Sequence, residues 1–193
     1  MKGLAIRLCI LGLLLEEDQH PYEMLIRIRD RFLDHHGNFK IGSLYYAVDQ
    51  LAKEAYIEAV ETIQTDGRPD KKVYRITDEG RGYFHKLLVD RFKEEVSGYH
   101  PLHVALVFAR HGDRDKIVAL LQARIREAEH QVNLSYQVYE EHRGIVPRSV
   151  LHLMAGRYEH AQTELSWLRR LYADAEAGRL GDRDPADLLN DEE

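Results

Sequence analysis

A run rich in β-branched and apolar residues, Ile57 to Thr65, and a second short strand-like run, Lys71 to Ile76, enclose the turn cluster Asp66-Gly67-Arg68-Pro69-Asp70. Two short strands around a Gly-Pro loop make a β-hairpin. Upstream and downstream of it the pattern is helical, so the position of this hairpin decides the fold. Before it, Leu4, Leu8, Leu11 and Leu15 follow helical spacing, while Ile6, Ile10 and Leu14 cover much of the other side. A helix apolar nearly all round is buried on several sides, which makes helix one both domain core and a candidate dimer contact through Leu4, Leu8 and Leu11. Pro21 suits a first helical position; Met24, Leu25, Ile28, Phe32 and Leu33 give a second helix ending near Gly37. A third opens near Gly42-Ser43 with Leu44, Ala47, Val48 and Leu51 inward; Ser43, Tyr46, Asp49, Gln50 and Lys53 lie away from that stripe. After the hairpin, Thr77 is a good N-cap and Asp78 and Glu79 favour the helix dipole. Tyr83, Phe84, Leu87, Leu88 and Phe92 support a fourth helix. The order helix, helix, helix, hairpin, helix is that of a winged helix.

Ser97 to Pro101 marks a boundary, and the rest is helical: Leu102 to Arg110, then about Asp113 to Glu141, a break at Gly144 to Pro147, and about Arg148 to Gly178. In the last helix Met154, Tyr158, Ala161, Leu165, Leu168, Tyr172 and Ala175 alternate in steps of four and three, the spacing of a coiled-coil seam. The same spacing also suits one face of an intramolecular bundle. The expected fold class is mainly α: an N-terminal winged helix-turn-helix with a two-stranded β-hairpin wing, and a C-terminal α-helical dimerisation region. The expected domains are a DNA-binding domain over 1–95, a helical dimerisation domain over 96–178 and an acidic, disordered tail over 179–193.

Composition narrows the function. The single cysteine, Cys9, rules out a disulfide framework within one chain and suits a reducing, cytoplasmic setting. Lys2, Arg7 and the run Leu8 to Leu15 resemble a signal peptide only in outline, because Glu16, Glu17 and Asp18 follow at once. Eight residues do not span a bilayer, so no membrane association is expected. The net charge is −6. Through Glu95 there are 15 basic and 17 acidic side chains, a balance of −2. Non-specific affinity for nucleic acid comes from neutralising phosphates, so a DNA-binding reading rests on local cations. Residues 66–75 carry four cations, Arg68, Lys71, Lys72 and Arg75, against Asp66 and Asp70, and Lys40 precedes the third helix. That helix can enter a major groove. Ser43 and nearby backbone N–H groups can hold a phosphate. Tyr46, Gln50 and Lys53 can touch base edges or phosphates, and Arg68, Lys71 and Lys72 can grip the backbone or an adjacent minor groove.

Other chemistries find less support. His100 and His103 stand at i, i+3, and His152 and His160 two turns apart on one helix, without the closed ligand set of a metal site. Glu140, Glu141 and His142 lack a nucleophile, and there is no phosphate-binding Gly loop, Cys-x-x-Cys pair or Gly-x-Ser-x-Gly elbow. Neither an enzyme, a cofactor nor a metal is expected.

Residues 3–93 resemble the PadR-like transcriptional regulators. Gly42-Ser43-Leu44-Tyr45, Leu51 and Ile57 match that family's helix signature, and Pro21-Tyr22-Glu23-Met24 resembles its Gly-Tyr-Glu-Leu element. The run Arg68-Pro69-Asp70-Lys71-Lys72-Val73-Tyr74-Arg75-Ile76-Thr77-Asp78-Glu79-Gly80 matches its wing and following helix. Tyr45 and Arg75 complete the candidate DNA contacts. Tyr46 stands where the family has Pro, Val48 or Asp49 falls near its usual Leu, and Ala55 replaces its Gly, implying a turn made without positive φ. The C-terminal helices, with Glu164 and Trp167-Leu168, resemble the longer subgroup with a virulence-activator-type C-terminal region. The resemblance implies a homodimer on a palindromic double-stranded operator, its C-terminal helices packed on the partner's first helix, acting as a repressor and in some members released by a small hydrophobic or aromatic effector. Trp167 and Tyr158 are the candidate effector contacts. A protein-interaction adapter that has lost DNA binding is the alternative, favoured by the acidic balance and opposed by the wing cations. A helical small-molecule or metal sensor without DNA contact is a third reading.

Overall fold

The computed structural model describes residues 2–30, 41–65, 68–94, 100, 102–183 and 188, and the side chains of all of these except Lys2, 62–65 and 68–71. The elements are α1 (Lys2–Glu16), α2 (Pro21–Asp30), α3 (Ile41–Lys53), β1 (Ile57–Thr65), β2 (Arg68–Ile76), α4 (Asp78–Lys93), α5 (Leu102–Phe108), a 3₁₀ turn (Ala109–His111), α6 (Arg114–His142), α7 (Arg148–Glu176) and a second 3₁₀ turn (Arg179–Gly181). The fold is mainly α, a winged helix followed by C-terminal helices. The chain divides into two compact units, Met1–Ser97 and Gly98–Glu193. The expected extension of the second helix through Phe32 and Leu33, Lys40, and the boundary segment lie outside the described residues, apart from His100.

In the first unit, α1 supplies Ile6, Ile10, Leu11, Leu13 and Leu14 to one core with Met24, Leu25 and Ile28 of α2, Leu44, Ala47, Val48 and Leu51 of α3, and Ile57, Tyr74 and Ile76 of the hairpin. The helical spacing read from the sequence decides which sides turn in. One expectation is corrected. Leu11 is 0% exposed, sealed inside its own unit, so it offers nothing to a second chain; Leu4 is exposed and Leu8 half-buried.

The antiparallel hairpin pairs Ile57 with Ile76, Glu58 with Arg75 and Ala59 with Tyr74, then shifts register before Glu61 meets Val73. Gln19, in the link between α1 and α2, exchanges backbone hydrogen bonds with Tyr74: Gln19 N–H to Tyr74 O at 3.1 Å and Tyr74 N–H to Gln19 O at 3.0 Å. The wing thus has a third, single-residue rung at its base.

The link from α3 to β1 departs from the sequence expectation. Ala55 has φ of +61°, the left-handed region that costs an L-residue roughly 1–2 kcal/mol. The conformation is imposed by its neighbours: the Tyr56 N–H donates to Leu51 O at 2.9 Å, and the Thr77 hydroxyl donates to Ala55 O at 2.8 Å. Ala55→Gly is therefore expected to stabilise the unit. Relief of strain exceeds the extra chain entropy of glycine by about 0.5 kcal/mol, a rise of roughly 2–4 °C in melting temperature. A fall in the thermal midpoint would show that Ala55 carries no strain.

In the second unit, α6 and α7 form a helical hairpin. Leu121 and Ala128 of α6 pack against Leu165, Leu168 and Ala175 of α7, flanked by Ile117, Val118, Ile125, Val132, Trp167, Leu171 and Tyr172. Two ion pairs bridge the helices, Arg169 to Glu129 at 2.7 Å and Arg124 to Glu164 at 3.3 Å. Arg114 caps the carbonyls at the end of α7, donating to Ala175 O at 3.2 Å and to Glu176 O. This corrects the seam. Leu165, Leu168 and Met154 are 8%, 1% and 8% exposed, so the stripe closes within the chain. Ala161, Tyr158 and Tyr172 remain half-exposed at its edges. The 3₁₀ turn after α7 also folds back, bringing Leu180 onto the same core, where the sequence suggested the start of a tail.

Candidate nucleic-acid interface

The outward side of α3 follows from its inward one. At about 100° per residue, the stripe Leu44, Ala47, Val48 and Leu51 centres roughly opposite a ridge formed by Tyr46, Asp49 and Lys53, which share an arc of about 60°. All three are exposed, Tyr46 to 67%. Ser43 and Gln50 flank the ridge on one side, exposed and half-buried respectively, and Tyr45 flanks it on the other at 39% exposure. The structure therefore brings Ser43, Tyr45, Tyr46, Gln50 and Lys53 to the uncovered surface of one helix.

The end of α3 is fixed by residues that the sequence reading did not single out. The Arg7 guanidinium of α1 donates to both carboxylate oxygens of Glu54, at 2.5 and 2.7 Å, and to the Tyr83 hydroxyl of α4 at 3.2 Å. The Tyr83 ring stacks on Tyr56 with centroids 4.3 Å apart. The hydrogen bonds from Arg7 hold the Glu54 carboxyl below its ordinary range. These contacts span 47 to 76 positions along the chain, so no local pattern announces them.

The wing's cations are not equivalent. Lys72 is exposed on β2. Arg75, also exposed, is held by Asp18 from the α1–α2 link: its Nε donates to Oδ2 at 3.0 Å, and this bond raises the guanidinium's pKa. Its charge is already matched by Asp18, so Arg75 anchors the wing's base. Arg68 and Lys71 lie on β2, their side chains outside the described residues, as is Lys40 altogether. Tyr74 is 8% exposed, and its phenol is raised by burial first and by the charge of Asp49 second. Asp49 of the ridge is near enough to Tyr74, at the wing's base, for its charge to act there.

Elsewhere, Trp167 packs against the C-terminal core, with His100 edge-on at 4.9 Å. Tyr158 accepts a hydrogen bond from Gln162 at 2.7 Å and lies 5.2 Å from the Tyr136 ring. Nine residues separate Tyr158 from Trp167, which places them about 14 Å apart along α7 on opposite sides; the structure does not join them in one site. His100 Nε2 lies 3.4 Å from the Glu164 carboxylate that Arg124 also meets. Among the described residues no group of three His, Cys, Asp or Glu is placed to hold a metal ion, and no helix is long and apolar enough to cross a membrane. Burial pushes the Cys9 thiol up to about 11, leaving it protonated and poorly nucleophilic at neutral pH.

Residues 10–86 match the model of the transcriptional regulator PadR-like family. Among solved structures, the chain resembles Bacillus subtilis PadR in complex with operator DNA at 18% identity, covering 88% of this chain and 96% of that one with a TM-score of 0.73. It resembles the PadR-like transcriptional regulator of Bacillus cereus at 21% identity, covering 89% and 98% with a TM-score of 0.64. A third likeness is to Bacillus subtilis PadR in complex with p-coumaric acid, at 16% identity, 90% and 97% coverage and a TM-score of 0.72. At these identities the likeness is one of fold. No curated protein sequence matches significantly.

Proposed function

We infer that this chain, which carries over residues 10–86 the domain of the PadR-like family of transcriptional regulators, binds double-stranded DNA as a homodimer and represses transcription until a small aromatic molecule releases it. The observation that carries the reading is the ridge of α3, exposed opposite a closed core, in a unit whose wing is anchored at its base by Asp18. A helix so placed can lie in a major groove, its first residues near a phosphate and its ridge toward base edges, while Lys72 with Arg68 and Lys71 meets the backbone beside it. That the Bacillus subtilis protein of similar fold forms a complex with operator DNA supports DNA as the partner, and its complex with p-coumaric acid supports an aromatic effector class.

A second copy as partner is supported by apolar side chains left exposed on the first unit: Leu4 of α1, and Leu88, Val89 and Phe92 of α4 at 36%, 52% and 87% exposure. Phe92, Leu88 and Val89 lie within a turn of one another, an arrangement that a two-fold partner can cover. Two subunits then read two half-sites, and the operator is a palindrome.

Lys71→Ala with Lys72→Ala is expected to weaken binding to every sequence by about ten-fold and to lower the slope of log affinity against log salt by up to roughly 2. Titrations of labelled duplex at several salt concentrations measure both. An unchanged slope would remove the wing from the interface. The acidic Asp49 at the middle of the ridge favours a second reading, an adapter that does not bind DNA. A gel shift with the DNA upstream of the protein's own gene separates the two, because the adapter leaves the duplex unretarded.

A further inference from the structure

Asp49 stands at the centre of the exposed ridge of α3, between Tyr46 one turn before it and Lys53 one turn after it. Among the described residues it makes neither a hydrogen bond nor an ion pair, and its charge helps to raise the pKa of the Tyr74 phenol. If α3 lies in a major groove, a carboxylate at this point faces the edges of the bases with phosphates on both sides. There it loses hydration and is repelled by the backbone, and is tolerated only where a donor receives it.

The base edges of the major groove offer two such donors, the amino groups of cytosine and of adenine. On adenine the donor sits beside N7, an acceptor that repels a second carboxylate oxygen. On cytosine no acceptor adjoins the amino group on that edge. The paired guanine presents O6 and N7, which suit a cation, and Lys53 lies about 6 Å further along the helix. We propose that Asp49 is a specificity-determining residue that accepts a hydrogen bond from the amino group of a cytosine at one position of each half-site. Its negative charge lowers affinity for non-specific DNA and sharpens selection of the correct base. The inference rests on the DNA-binding reading above.

Selection of bound duplex from a random pool, run in parallel with the wild-type chain, Asp49→Asn and Asp49→Ala, tests it. The wild type is expected to enrich cytosine at one position per half-site. Asp49→Asn shifts that position toward adenine, whose N6 and N7 match a carboxamide, and Asp49→Ala loses the preference there by about ten-fold or more. Asp49→Ala also binds non-specific duplex several-fold more tightly. Asp49 is exposed, so matched circular dichroism melts confirm that all three proteins are folded. Identical preferences at every position in the three pools overturn the assignment of Asp49 while leaving DNA binding intact. A folded wild type that enriches no sequence overturns the DNA-binding reading, and the role of Asp49 with it.

Discussion

Gly80→Ala is expected to lower the thermal midpoint of the N-terminal unit by more than 10 °C. A Cβ built on Gly80 would lie 2.0 Å from the backbone oxygen of Tyr56, 2.8 Å from Ile76 Cγ1 and 3.0 Å from the Tyr56 carbonyl carbon. The nearest atom is main chain, so rotation of a side chain cannot relieve the overlap. The oxygen is further held by the Thr77 N–H at 3.1 Å, while the Thr77 hydroxyl donates to Ala55 O and accepts from the Gly80 N–H at 3.0 Å. Relief requires the first turn of α4 to retreat and these bonds to break. Overpacking costs roughly 1–3 kcal/mol and each lost hydrogen bond about 1. The better helix propensity of alanine returns only about 1 kcal/mol. The net loss of about 3 kcal/mol corresponds to roughly 12–24 °C in a unit of this size. A calorimetric shift under about 3 °C would mean that α4 and the α3–β1 link approach less closely than described.

Leu168→Asp is expected to unfold the C-terminal unit. Leu168 is 1% exposed among Leu121, Ala128, Leu165 and Ala175. Replacing it removes a fully buried side chain and puts a carboxyl in its place, at a combined cost of about 4 kcal/mol or more. Trp167 is the sole tryptophan and lies in the same cluster, so its emission should move to the red as far-UV ellipticity from α6 and α7 is lost. Ser166→Asp, at an exposed site on the same helix, should leave both signals in place. If Leu168→Asp keeps its helicity and blue-shifted emission but sediments as a monomer, the stripe joins two copies and the intrachain packing is refuted.

That contrast marks one limit of what residue spacing can convey. Steps of four and three define an apolar stripe on α7, but they do not say whose helix covers it. Five residues separate α6 from α7, and so short a link gives α6 an effective concentration that a second molecule does not match. The complementary charges of Arg169 with Glu129 and Arg124 with Glu164 then select the pairing. The inward face of α3 was legible because burial imposes a period, and the hairpin because turn chemistry and β-branched runs coincide. Ala55 misled for a physical reason: identity reports a residue's own preference, whereas its φ is dictated by Thr77 and by the Tyr56 N–H. The engagement of Arg75 by Asp18 and of Glu54 by Arg7 was equally out of reach, since these partners meet only once the chain has folded. The sequence therefore named the cations of the wing without revealing which of them is already matched.

The double grip of Arg7 on Glu54 and Tyr83 separates the exposed ridge of α3 from the residues that hold its end. Positions 43, 46, 49, 50 and 53 form a strip that can be rewritten without disturbing the chassis. Glu54 sits one residue beyond that strip yet belongs to the chassis, because Arg7 ties it to α1 and, through Tyr83, to α4. If α3 meets DNA as proposed, a library randomised through position 54 would mix altered recognition with a loosened helix end, and one that stopped at 53 would not.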